Sequence, residues 1–177
     1  AWETSGKMED ILISKMENSK NVKDSLVDLI SKIGEKITLR RCSFFGDKKV
    51  INFSYTHSSL KKNVGKLGVL LSLETTKKND ETLSNFGKNL AMHIAASAPL
   101  AIDKNDLNEE TINKEKKIIT EELKNSGKES KIAEKIASGK LNKFINENTL
   151  LNQDWIMEPK KKVKDILKEA AGNEKVN

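Results

Sequence analysis

Met92-His93-Ile94-Ala95-Ala96-Ser97-Ala98-Pro99 places a lone histidine on an apolar, alanine-rich segment that stops at a proline. Proline disfavours helical geometry in the residue before it, so the segment reads as the end of a helix. Working backwards, Asp80 can cap that helix, and Leu83, Phe86, Leu90 and Ile94 recur at helical spacing, with Met92 a further candidate for the inner face. The helix supplies ample apolar residues for packing without His93. The histidine is therefore expected to be at least partly exposed.

Upstream the period changes from helical to alternating. Ile37-Thr38-Leu39-Arg40 alternates and runs on through Cys42 and Phe44-Phe45; Ile51, Phe53 and Tyr55 alternate next, then Leu67, Val69, Leu71 and Leu73. Gly46-Asp47-Lys48-Lys49 reads as a hairpin turn and His57–Asn63 as a longer loop. Three successive runs with short connections predict a three-stranded antiparallel sheet, Ile37–Phe45, Val50–Thr56 and Leu67–Leu73, covered on one face by helices. Before it, a short weak helix is expected over Lys7–Met16. A clearer one follows an Asn21 cap, with Val22, Leu26, Leu29, Ile30 and Ile33 on one side and Gly34 as the stop.

Downstream, Ile112, Ile119 and Leu123 mark one narrow seam, and Ile132, Ile136, Leu141, Phe144 and Ile145 another, around the turn Asn125-Ser126-Gly127-Lys128. Two such helices make an antiparallel helical hairpin of coiled-coil type over 108–148, expected to project from the core. A last helix is expected from about Lys160 to Ala171, with Val163, Ile166 and Leu167 as its apolar side. The fold class is α+β, divided into 1–99 and 100–177.

The 177 residues carry 32 Lys and Arg against 26 Asp and Glu, a net charge of +6, and only Arg40 and Arg41 are arginines. The basic balance suits an acidic partner. Lysines interspersed with acids, and so few arginine forks, weaken a nucleic-acid reading. Cys42 is the single cysteine, which precludes an intrachain disulfide. There is no phosphate loop, no G-x-S-x-G and no H-E-x-x-H, and the carboxylates form no acid–base constellation, so neither catalytic nor metal-ligating residues are assigned and no cofactor is expected. No apolar run is long enough to span a membrane. His57 reads as a surface residue at a loop edge, Arg40 and Arg41 as charges on opposite faces of a strand, Cys42 as core, and Trp155 as a packing anchor. The residues alone describe an α+β binding protein.

Several segments, in order, resemble the elongation factor Ts family from about Ile30 to Leu167. These are Lys32-Ile33-Gly34-Glu35-Lys36-Ile37 with Arg40-Arg41, Tyr55-Thr56-His57, Leu67-Gly68-Val69-Leu70, His93-Ile94-Ala95-Ala96-Ser97 with Pro99, Gly139-Lys140-Leu141-Asn142-Lys143-Phe144, and Leu150-Leu151-Asn152-Gln153. The resemblance implies a guanine-nucleotide exchange factor, not an enzyme, that binds elongation factor Tu in its GDP-bound or nucleotide-free state and promotes GDP release, in the cytoplasm of a bacterium, with no need of nucleic acid, cofactor or membrane. It also implies that His93, with Met92, Ala96 and Ser97, meets elongation factor Tu near its phosphate-binding region. The family's Thr-Asp-Phe string, its N-terminal helical module and the closing strand expected after Val176-Asn177 do not occur here, so the chain reads as a central portion. The alternative is an RNA- or ribosome-binding translation protein acting through its lysine-rich surface.

Overall fold

The computed structural model describes residues 7–43, 50–61, 64–75, 80–124 and 130–172. The chain separates into two compact units, 1–48 and 49–177.

In the first unit, α1 (Met8–Ile13) and α2 (Val22–Ile33) are the regular elements. Asn21 caps α2 by accepting from the Asp24 amide at 2.7 Å, and Gly34 closes it in the left-handed region, φ 72°. Both ends therefore follow ordinary cap chemistry. The run beginning at Ile37 is not a strand: among the described residues nothing pairs with 37–43, while 44–49, including the expected turn, lie outside the described residues. Alternation assigns side chains to faces; it supplies no hydrogen-bonding partner, and a strand needs one. Arg40 and Arg41 are exposed, and Cys42 is half-buried and unpaired with another sulfur.

The second unit begins with a long antiparallel hairpin, β1 (Val50–Lys61) against β2 (Val64–Glu74), in a register that sets Phe53 opposite Leu71 and Tyr55 opposite Val69. Among the described residues the sheet has these two strands only. The expected loop at His57–Asn63 is, as far as Lys61, a continuation of β1. Those residues lack an apolar alternation because both their faces meet solvent; the backbone ladder holds them without burial. His57 is exposed there, 3.1 Å from the Tyr55 hydroxyl. Gly65 is required by the close approach of the strands, since a Cβ there would come 2.6 Å from the His57 carbonyl oxygen.

The helix α3 (Glu81–Ser97) crosses the buried face of the hairpin. Asp80 accepts from the Leu83 amide at 3.1 Å, and Ala98 ends the helix in the left-handed region ahead of Pro99. Leu83, Phe86 and Leu90 point inward with Phe53 and Leu73, and join Leu150, Trp155 and Val163 in one core, with Ile94, Ile166 and Leu167 packed against it. The sequence reading places a boundary at Pro99; residues on both sides of that proline build this core. Met92 lies on the outer side of α3, 39% exposed.

The hairpin helices are α4 (Glu109–Lys124) and α5 (Ser130–Asn148). Glu122 pairs with Lys140, residues of both helices line one groove, and α5 begins soon after α4 ends, so the helices run antiparallel. Ile119, Leu123 and Ile145 form the narrow buried seam, while Ile118 and Ile132 remain exposed. The tip at 125–129 lies outside the described residues. After α5 come β3 (Asp154–Trp155) paired with β4 (Glu158–Lys162), a small ribbon the sequence did not announce, and α6 (Val163–Ala171).

The α3 backbone meets the sheet closely at Gly87, where a Cβ would overlap the Phe53 ring. Gly87→Ala should therefore lower stability by about 1–3 kcal/mol despite alanine's better helix propensity, because overpacking outweighs the gain. Urea unfolding followed by far-UV circular dichroism checks this; a more stable Gly87→Ala variant would show that the ring can move aside.

Candidate functional site

The candidate surface is the C-terminal half of α3, where the four residues expected to meet a partner lie. Met92 and Ala96 are exposed and Ser97 is half-buried. His93 is different: it is 0% exposed, which overturns the expectation of an accessible histidine. Met92 and Ala96 are four apart, on one side of the helix; His93 faces the core, stacked on Trp155 with ring centroids 5.2 Å apart and planes 20° apart. The apolar residues of α3 were sufficient to fill its inner face, yet the position beside Trp155 takes a ring that can also hydrogen-bond.

The bonding around His93 leaves one consistent arrangement. The Ile156 backbone N–H, 3.4 Å from Nδ1, can only donate, so Nδ1 accepts. The proton therefore sits on Nε2, which donates to the Gln153 side-chain oxygen at 3.0 Å. The Gln153 amide nitrogen then points to two carbonyl oxygens, Glu147 at 2.7 Å and Ser97 at 3.4 Å, and donates to both. Every polar atom of the buried pair has a partner, as a buried polar network requires. Burial pushes the His93 imidazole below its usual value, while the Gln153 hydrogen bond opposes that shift.

The surrounding backbone is tied down by the connector between α3 and α4. The Leu100 amide donates to the Asn148 carbonyl at 2.9 Å, Leu150 to Ala101 at 2.9 Å and Leu151 to Ile102 at 3.0 Å. The Asp103 carboxylate accepts from the Lys104 amide at 2.8 Å and the Asn152 amide at 3.0 Å, and these bonds hold it below the usual carboxylate range. The buried Thr149 hydroxyl donates to the Ile145 carbonyl at 2.8 Å. An open polar cleft of about 240 Å³ adjoins the cluster, lined by Ser97, Asn146, Asp154 and Lys162 among others. Beside His93, the β3–β4 turn leaves Ile156 and Met157 exposed, 42% and 48%. Among the described residues no group of three or more His, Cys, Asp and Glu side chains is placed to hold a metal ion. No described helix is long and apolar enough to cross a membrane.

Gln153 received no role from the sequence. A single glutamine between Leu150-Leu151 and Trp155 carries no periodic signal; only its burial beside a histidine 60 residues away gives it one. Trp155, 5% exposed, is the packing anchor the sequence suggested.

The family model described as Elongation factor TS matches residues 2–177. The chain belongs to the elongation factor Ts family. It is 39% identical over 171 residues to the Elongation factor Ts of Bartonella quintana, an alignment covering 96% of this chain and 55% of that protein. With the Elongation factor Ts of Rickettsia prowazekii it shares 36% identity over 92% of this chain and 53% of the relative, and with that of Caulobacter vibrioides 33% over 95% and 54%. The chain thus spans about half the length of the curated relatives it matches.

The lowered value of His93 has a sign. The folded protein holds the imidazole neutral, so on acidification the unfolded chain takes up the proton first, near pH 6.5. Stability from this residue is therefore intact above that pH and lost progressively as pH falls below it. The urea midpoint should drop between about pH 7 and pH 5.5. His93→Gln, although less stable at neutral pH, should show a flatter slope. Equal slopes would mean that His93 is protonated without penalty in the folded protein.

Proposed function

We propose that this chain carries the partner-binding surface of a guanine-nucleotide exchange factor, binding elongation factor Tu in its GDP-bound or nucleotide-free state and promoting GDP release during translation elongation in the bacterial cytoplasm. The observation that carries the reading is the two-sided character of the last two turns of α3: the inner side is locked through His93, and the outer side presents Met92, Ala96 and the edge of Ser97. Family membership supports elongation factor Tu as the partner. His93 enters this reading as a support beneath the surface, with Met92 and Ala96 in contact.

The physics required is linkage. A factor that binds the open or nucleotide-free GTPase more tightly than the GDP-bound form weakens GDP binding by the same free energy. No covalent bond changes, so the factor needs a rigid shape and no acid, base or nucleophile. A small residue such as Ala96 lets a partner helix approach closely, while Ile156, whose amide meets His93, and Met157 offer exposed apolar area on the β3–β4 turn.

The RNA-binding alternative asks the lysines to face phosphates. Lys114 pairs with Glu110, Lys140 with Glu122 and Lys143 with Glu147, so these hairpin cations already face carboxylates. Such exposed pairs add little stability, yet they break up a one-sign face.

Mixing the chain with elongation factor Tu loaded with fluorescent GDP should accelerate release of the nucleotide or, at minimum, produce a measurable complex. Ala96→Leu, which keeps helix propensity but adds bulk outside, should weaken that complex about tenfold or more with the melting temperature unchanged. If Ala96→Leu binds like the parent, α3 is not the contact. If the chain leaves elongation factor Tu untouched and instead binds RNA with a steep salt dependence, the lysine-surface reading replaces this one.

A further inference from the structure

We propose that Gln153 is a positioning residue: one side-chain amide closes the C-terminal ends of α3 and α5 together, and so holds the candidate partner-facing turn and the root of the helical hairpin as one body. The consequence for elongation factor Tu rests on the function proposed above.

The last carbonyls of a helix have no partner within it. Ser97 is the final residue of α3, and Glu147 stands one residue before the end of α5. The amides that would follow on are engaged elsewhere: Ala101 donates to the Asn148 carbonyl and Leu151 to the Ile102 carbonyl. The Gln153 amide nitrogen has two hydrogens and gives one to each orphan carbonyl, while its oxygen accepts from His93. No other neutral side chain of this reach offers two donors and one acceptor in a single plane. Glutamate would set a carboxylate against two carbonyl oxygens, asparagine is one methylene short, and an apolar residue would take these partners from both part-buried carbonyls and from the buried His93 Nε2.

Gln153 is also held rigidly. Its backbone amide donates to the Thr149 carbonyl at 3.1 Å, and its carbonyl accepts from Val163 at 3.1 Å at the start of α6. The residue is 7% exposed. A group fixed at both backbone atoms and at three side-chain contacts transmits the position of one helix end to the other.

The test uses the full chain with Gln153→Met, which is close in volume and removes every side-chain hydrogen bond, and Gln153→Asn, which keeps the donors but shortens the reach. Amide hydrogen exchange is read in two windows, 94–98 and 145–151. Gln153→Met should accelerate exchange in both windows by about tenfold, leaving Leu83–Phe86 and the β1–β2 ladder unchanged. The same variant should weaken the complex with elongation factor Tu, and Gln153→Asn should fall between it and the parent in both readouts. Acceleration in one window only, or equally throughout the protein, overturns the proposal, as does unchanged binding to elongation factor Tu when both windows open. If Gln153→Met does not fold, Gln153→Asn decides by the same windows. If the parent chain itself fails to bind elongation factor Tu, the proposed function falls, and the exchange pattern alone decides whether Gln153 joins the two helix ends.

Discussion

Trp155 stacks against two rings of one helix, Phe86 with centroids 5.8 Å apart and His93 at 5.2 Å. Those two residues are seven apart, so α3 presents them about 10.5 Å apart along its axis, and a single indole fits between. A side chain on a two-residue strand therefore fixes both the rotation and the axial position of α3. The remainder of the second unit follows from that clamp. With α3 held, Leu83 and Leu90 close on Phe53 and Leu73 of the β1–β2 hairpin, and Val163 and Leu150 fill the other side.

The clamp also explains a histidine in so apolar a place. An aliphatic residue at position 93 would pack, but it would leave the Ile156 amide and the Gln153 oxygen facing an inert surface. Histidine serves as a ring for stacking and as a donor and acceptor on opposite sides, and its neutral form is kept by burial. The surface residues Met92 and Ala96 are thus carried by a helix whose inner side has little freedom to adjust. A rigid surface of that kind would lose little conformational entropy if a partner docked on it.

Local chemistry was legible in the sequence. Asn21 and Asp80 announced helix starts through their carbonyl and carboxylate oxygens, Gly34 and Pro99 announced stops, and the alternation of Phe53, Tyr55, Leu71 and Leu73 announced the hairpin. Long-range pairing was not. The alternation at Ile37 and Leu39 named faces without naming a partner strand, and β3–β4 is too short to show any period. For the site, the sequence put His93 on the outer side of α3, and the structure puts it on the inner side. Amphipathic counting asks which residues are apolar enough to be inside; it does not ask which buried backbone groups need a partner, and that need is what places His93 and Gln153.

His93 and Gln153 stand 60 residues apart, and the whole α4–α5 hairpin lies in the interval. Its two ends meet where residues 100–102 bond to 148–151. Once α4 and α5 have paired, the long excursion between the latch residues is already closed at its base, and the remaining loop closure spans only a few residues on either side. Because closure entropy grows slowly with length, the outer turns of the hairpin are free to lengthen or shorten over evolution. Variation in that reach would leave the geometry at Trp155 untouched, so the length of the arm and the shape of the α3 surface are separable traits of one small unit.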